Sequence, residues 1–175
     1  MTLREPVHLE DPRTIGPVHF IAIGGAGMSG VARAYAELGA EVSGSDQVNS
    51  TRLESLSAMG VRTWVGHDPS HVHGARTVVV SSAIHDDNPE LLEARRLGLR
   101  IWHRSAALAA LMLGHQGVSV AGTHGKTTTS AIIASILTDA GMDPSYVIGS
   151  PLATSGRSAH PVSYTHLRAH EPDSY

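Results

Sequence analysis

The run Val18-His19-Phe20-Ile21-Ala22-Ile23-Gly24-Gly25-Ala26-Gly27-Met28-Ser29-Gly30 decides how the chain folds, because a short, largely apolar stretch empties directly into a cluster of glycines. An apolar run bounded in this way predicts a buried strand. Met28, Val31, Ala32, Tyr35 and Leu38 then recur at helical spacing until Gly39, and Glu41 to Asp46 follows as a second strand. The expected unit is strand, helix, strand. Gly25, Gly27 and Gly30 form G-x-G-x-x-G, which provides a tight turn, close approach of backbone to a diphosphate and close packing of the helix. Asp46 closes the second strand about 20 residues later, where a dinucleotide fold places an acid against a ribose hydroxyl. The glycines do not choose between NAD and a UDP-sugar, since both present a diphosphate.

The alternation continues beyond Asp46. A polar helix is expected from about Thr51 to Met59, a short strand over Arg62 to Val65, and a strand covered on both faces over the β-branched run Thr77-Val78-Val79-Val80. That strand ends in Ser81-Ser82-Ala83-Ile84, and such carboxyl ends face the ligand crevice of an open α/β sheet. Asn88 and Pro89 look like the cap and first residue of a helix that Gly98 stops before a strand at Leu99 to Trp102, and another helix begins at Ser105. The fold class is therefore α/β, with a doubly wound, mostly parallel, Rossmann-like sheet over about residues 15 to 103.

A second glycine-rich turn lies at Ala121-Gly122-Thr123-His124-Gly125-Lys126-Thr127-Thr128-Thr129, between an expected strand at Val118 to Ala121 and a helix through Ile132, Ile133, Ile136 and Leu137. Gly122 and Gly125 let backbone N–H groups crowd around phosphate oxygens, Lys126 supplies a point charge, and the Thr127 hydroxyl can ligate Mg2+ at the positive end of the helix. These are the parts of a nucleoside triphosphate site. The strict phosphate-loop pattern requires glycine where Val120 stands, and here the early glycine is Gly122. Tyr146-Val147-Ile148 is expected as a further strand. We divide the chain into 1–104, a Rossmann-like nucleotide-binding domain, 105–160, the start of a P-loop ATPase domain, and a tail, 161–175.

The 175 residues suit one domain and part of another, and 41% hydrophobic residues can fill a core. A formal net charge of −3 argues against general nucleic-acid affinity, and no run of about 18 apolar residues is present to cross a bilayer. Met1 to Pro17 is polar, with Glu5, Glu10 and Asp11, unlike a secretory signal. The absence of cysteine excludes disulfides, zinc–thiolate sites and a cysteine nucleophile, and agrees with a cytoplasmic setting. Three of the 12 histidines, His67, His71 and His73, sit in a stretch with Gly66, Asp68, Pro69 and Gly74 that reads as loop, so no metal site is expected there.

Together, G-G-A-G-M-S-G at Gly24 to Gly30 and A-G-T-H-G-K-T-T-T at Ala121 to Thr129 resemble the Mur ligase family. The likeness extends through S-G-S-D at Ser43 to Asp46, G-H-D at Gly66 to Asp68, S-S-A-I at Ser81 to Ile84 and N-P-E at Asn88 to Glu90, covering about residues 18 to 149. It implies an ATP- and Mg2+-dependent, amide-forming ligase of peptidoglycan synthesis, with UDP-N-acetylmuramate and L-alanine as substrates. By the same likeness, Gly24, Gly25, Ala26, Gly27 and Met28 approach the UDP diphosphate, and Asp46, His67 and Ser82 surround the ribose, uracil or sugar. Gly122, Thr123, His124, Gly125, Lys126, Thr127 and Thr128 bind ATP, with Lys126 catalytic and Thr127 on the metal. The acidic magnesium-binding stretch and the amine-binding domain expected of the family lie beyond the likeness, since after Ile148 the acids are Glu171 and Asp173. Ser163 to Arg168 belongs to a tail that departs from the family, expected of a truncated gene or a foreign continuation, and the chain alone is expected to be inactive. Two other functions remain open, an NAD-binding oxidoreductase or regulatory module and a non-catalytic UDP-sugar-binding fragment.

Overall fold

The computed structural model describes residues 7–160, so the tail at 161–175 lies outside the described residues. Five strands, β1 (Val18–Ile21), β2 (Val42–Asp46), β3 (Arg62–Val65), β4 (Thr77–Val80) and β5 (Arg100–His103), form one sheet in the order β3-β2-β1-β4-β5. All four neighbouring pairs are parallel. Chain order reverses between β1 and β4, and this switch point is where a doubly wound sheet opens its ligand crevice.

The crossovers between these parallel strands send helices to both faces. Alternation along β1 places Val18 and Phe20 with α1 (Ala26–Glu37), α2 (Thr51–Ala58) and α4 (Arg104–Ala110), through Met28, Val31, Tyr35, Leu53, Leu56, Ala107 and Ala110. Ile21, Val78 and Val80 face the other way, onto Leu91 and Ala94 of α3 (Pro89–Arg96) and onto Val72. Both cores use the period of two that a strand imposes. The helices start where their caps dictate: Ser50 Oγ accepts the Leu53 N–H, and Asn88 Oδ1 accepts those of Glu90 and Leu91 with Pro89 at the first turn. The boundary expected at 104/105 falls at the start of α4, whose packing is with the first sheet and whose Ala107 carbonyl accepts the Tyr35 hydroxyl at 3.0 Å.

Beyond α4 the outcome differs from expectation in two places. Residues 117–121 form no strand, and Val118 is 71% exposed. A strand needs a neighbour for its N–H and C=O groups, and among the described residues none is paired with this segment. The helix after the second glycine turn forms as expected, α5 (Lys126–Asp139), but the following β6 (Tyr146–Val147) pairs antiparallel with β7 (Ala159–His160), an element with no sequence signal of its own. This ribbon rests on α1. A methyl carbon added at Gly30 would lie 3.5 Å from Val147 Cγ1 and 4.0 Å from Ala159 Cβ, ordinary contact distances that place the ribbon against the third glycine of the first motif.

Candidate functional site

Parallel pairing brings the carboxyl ends of all five strands to one edge, and with them the segments that carry most of the expected site. Ala22 to Gly27 follow β1, Asp46 ends β2, His67 lies just past β3, exposed Ser82 lies past β4, and Arg104 follows β5. Ala22 holds φ 61°, a left-handed conformation uncommon without glycine, where β1 bends into the turn. Its carbonyl accepts the Gly25 N–H at 3.1 Å, while Met28 and Ser29 N–H bond back to Gly25 O. The Gly24 N–H goes to Asp46 Oδ2 at 2.9 Å. Asp46 thus ties β2 to the glycine turn, and Met28 contributes its side chain to the core. Among the described residues, the backbone N–H groups of Ala26 and Gly27 are left at the positive end of α1.

Arg104 stands beside them. A methyl carbon added at Gly27 would sit 2.5 Å from Arg104 Nη1, so the guanidinium lies directly over this glycine. Among the described residues, Arg104 has no hydrogen-bond or ion-pair partner, and burial together with the Arg104 charge pushes His103 below the usual histidine range. Sequence reasoning passed over Arg104; its signal was a basic residue at the carboxyl end of a predicted strand.

His67 is placed by contacts that no linear pattern announced. Glu90, at the start of α3, is completely buried beneath the sheet edge. Its Oε2 accepts from Ser45 Oγ at 2.5 Å and lies 3.1 Å from His67 Nδ1, while its Oε1 lies 2.7 Å from His71 Nδ1. His19 Nε2 stands 3.7 Å from Oε2, an ion-pair distance. His71 also stacks on Trp64, with ring centroids 4.5 Å apart. Among the described residues, no group of three or more His, Asp or Glu side chains is arranged to hold a metal ion.

Burial opposes ionisation of Glu90, but His19, Ser45 and His71 outweigh it and hold the carboxyl down at about 2, against an ordinary 4.5. A depressed carboxyl stabilises the fold fully above its unfolded value and loses that contribution as pH falls through its folded value. We therefore expect Glu90→Gln to cost on the order of 3 kcal/mol above pH ~4.5, with the gap to wild type closing towards pH 2. Urea unfolding at stepped pH measures it, and a gap independent of pH would refute the assignment.

The second glycine turn is exposed from Ala121 to Thr129. Gly122 has φ +152° and Gly125 +77°, and Gly125 caps α5 in the left-handed region that favours glycine. Lys126 Nζ folds back onto the carbonyls of Gly122 and, at 3.2 Å, Thr123. The Thr127 hydroxyl lies close to Gly149, where an added methyl carbon would meet Oγ1 at 3.3 Å. Glycine conformations, an ammonium and a hydroxyl at a helix N-terminus fit a magnesium-bound triphosphate. His124 and Thr128 are exposed in the same turn.

Residues 17–116 match the model of the Mur ligase family, catalytic domain. The chain belongs to the Mur ligase family. It is 73% identical over 160 residues to a UDP-N-acetylmuramate–L-alanine ligase of Cutibacterium acnes and 54% identical over 159 residues to that of Thermobifida fusca, covering 91% of this chain and 34% of each relative. The chain thus spans about a third of the length of these curated relatives. Among solved structures it is similar to the UDP-N-acetylmuramate–alanine ligase of Thermotoga maritima, with TM-score 0.77 and 29% identity over 82% of this chain and 34% of that one. A UDP-N-acetylmuramate:L-alanyl-γ-D-glutamyl-meso-diaminopimelate ligase from Neisseria meningitides is similar at TM-score 0.76 and 32% identity, covering 82% and 46% of the two chains.

Proposed function

We propose that the chain carries the sugar-nucleotide site and the phosphate loop of an ATP-dependent ligase that joins L-alanine to UDP-N-acetylmuramate in the cytoplasm, for peptidoglycan synthesis. The observation that carries this reading is the presence of two phosphate-directed turns of different construction on a chain with alanine-ligase relatives. One, at Gly24 to Gly27, meets a diphosphate with helix N–H groups and the Arg104 charge. The other, at Gly122 to Thr128, has the lysine and hydroxyl that a triphosphate requires.

At the first site, the N–H groups of Ala26 and Gly27 with Arg104 hold the UDP diphosphate. Asp46 braces the turn through Gly24 and meets the ribose with its remaining acceptor capacity, while His67 and Ser82 line the base or sugar. At the second, Lys126 leaves the loop carbonyls for the terminal phosphates of ATP, and Gly122 to Gly125 direct N–H groups at the same oxygens. The Thr127 hydroxyl would hold Mg2+, which would supply positive charge against the phosphates. The muramate carboxylate attacks the terminal phosphoryl group and ADP leaves. The amine then attacks the acyl carbon of the acyl phosphate, inorganic phosphate departs, and an amide remains.

Calorimetry of the chain with UDP-N-acetylmuramate, NAD and Mg-ATP in turn tests this reading. Saturable heat with the UDP-sugar and none with NAD is expected, because a dehydrogenase gives the second turn no role. Saturable binding of NAD with none of UDP-N-acetylmuramate would replace the ligase by an NAD-binding module.

A further inference from the structure

The sheet face that carries α3 is half apolar and half polar. Over β1 and β4, Ile21, Val78 and Val80 pack on α3, whereas the β1–β2–β3 half presents His19, Ser43, Ser45 and Trp64. The segment from His67 through the 3-10 turn at Pro69–Val72 covers that polar half, and Val72 is its one fully buried apolar anchor. What fastens the rest is Glu90, through Ser45, His67 and His71. The charged groups around this hub are His19 from β1, His67, Asp68 and His71 from the covering segment, Glu93 of α3 with its partners His73 and Arg96, and Arg62, whose guanidinium lies 5.8 Å from the Trp64 ring centroid.

Proton accounting around Glu90 Oε2 leaves His67 one neutral form. The Ser45 hydroxyl has a single proton and donates it to Oε2. His67 Nδ1 lies 2.9 Å from that same Ser45 oxygen and 3.1 Å from Oε2. Both neighbours accept, so Nδ1 must be the donor, shared between them. In a neutral imidazole the other nitrogen is then an acceptor. His67 Nε2 has no partner among the described residues and, unlike Nε2 of His19, is not sealed from solvent.

We propose that Glu90 is a positioning residue that fixes His67 as the Nδ1–H tautomer, so that Nε2 presents a hydrogen-bond acceptor just past β3 and selects a pyrimidine whose ring N3 carries a hydrogen. Uracil carries that hydrogen; in cytosine N3 is an acceptor and would face a lone pair. The base-selecting half of the proposal rests on the sugar-nucleotide reading, which places the ribose at the end of β2 and the base beyond it, towards β3. The tautomer half rests on the Glu90 geometry alone.

Two measurements on the whole chain test the halves separately. Nitrogen-15 spectra at pH 8.5, with His67 assigned by its loss in His67→Gln, are expected to show the neutral Nδ1–H form in wild type and a shift towards Nε2–H in Glu90→Gln. Glu93→Gln, which touches the same segment through His73 without touching His67, and Ser45→Ala, which keeps the carboxylate, are expected to retain the wild-type form. Calorimetry with UDP and CDP as probes is expected to give at least a tenfold preference for UDP in wild type, reduced to about threefold or less in Glu90→Gln whose circular dichroism confirms folding. An Nε2–H or doubly protonated His67 in wild type overturns the tautomer. Wild type binding UDP with its preference unchanged in folded Glu90→Gln overturns base selection while leaving the sugar-nucleotide reading intact. Failure of wild type to bind either diphosphate removes both that reading and base selection, and the spectra still decide the tautomer.

Discussion

Lys126→Ala, introduced into a full-length enzyme bearing this sequence, is expected to lower turnover about 10²- to 10³-fold while leaving UDP-N-acetylmuramate affinity within about twofold. Lys126 is the one cation of the second turn, and its ammonium already reaches the loop carbonyls that border the space above α5. Phosphoryl transfer asks little covalent chemistry of a protein and depends on positioning and on charge placed against the transferring group. Removing that charge leaves the N–H cradle intact, so the loss should appear mainly in kcat. The first site should not notice, since its contacts belong to β1, β2 and α4. Steady-state release of ADP gives kcat and the KM for ATP, and calorimetry gives the sugar-nucleotide affinity. Turnover within about fivefold of wild type would remove Lys126 from the phosphoryl-transfer site, and a parallel loss of UDP-sugar affinity would mean that the change had damaged the fold.

The first unit was legible because local signals and tertiary packing agree there. Glycine and proline punctuate it at the strand and helix ends, Asn88 and Pro89 open α3 as their chemistry demands, and the burial of Val78, Val79 and Val80 matches their continuous apolar run. The second unit was legible only where one element carries its own signal. Gly125 and Lys126 begin α5, but Val118 to Ala121 form no strand because a strand depends on neighbours that its own sequence does not contain. The same limit hid β7, whose two residues pair only through the ribbon with β6.

Much of the candidate site had a similar division. The glycines and Asp46 could be located by spacing, yet the bond between Asp46 and Gly24 is a product of β1–β2 register. Glu90 entered the sequence reading only within Asn88-Pro89-Glu90, and within the 66–74 stretch the loop pattern did not separate the three histidines, His67 being singled out by the family resemblance alone. Folding separates them: His67 and His71 reach the buried carboxylate, whereas His73 pairs with Glu93 at the surface. No linear spacing relates His19, Ser45, His67 and Glu90, because parallel pairing of β1 with β2 and the crossover into α3 bring them together.

The 175-residue chain by itself is expected to form no amide, even where it binds the UDP-sugar. Effective molarity requires the carboxylate, the terminal phosphoryl group and the amine to be held together in reacting geometry, and this can contribute about 7–11 kcal/mol of the barrier. Lys126 and Thr127 are exposed, and the segment after Ile148 through His160 contains no acid to stand opposite Thr127 across a metal ion. The relatives that are named alanine ligases are about three times as long as the matched region, so the groups that orient L-alanine are expected in sequence outside that region. Without them an amine meets the site only by diffusion, and an acyl phosphate formed in the open turn would be exposed to water. Incubation of the purified chain with UDP-N-acetylmuramate, ATP, Mg2+ and radiolabelled L-alanine, followed by chromatography of the sugar nucleotide, measures the outcome directly. Time-dependent formation of UDP-N-acetylmuramoyl-L-alanine that disappears in Lys126→Ala would show that these 175 residues already hold all three reactants, and the division of labour proposed for the longer enzyme would have to be redrawn.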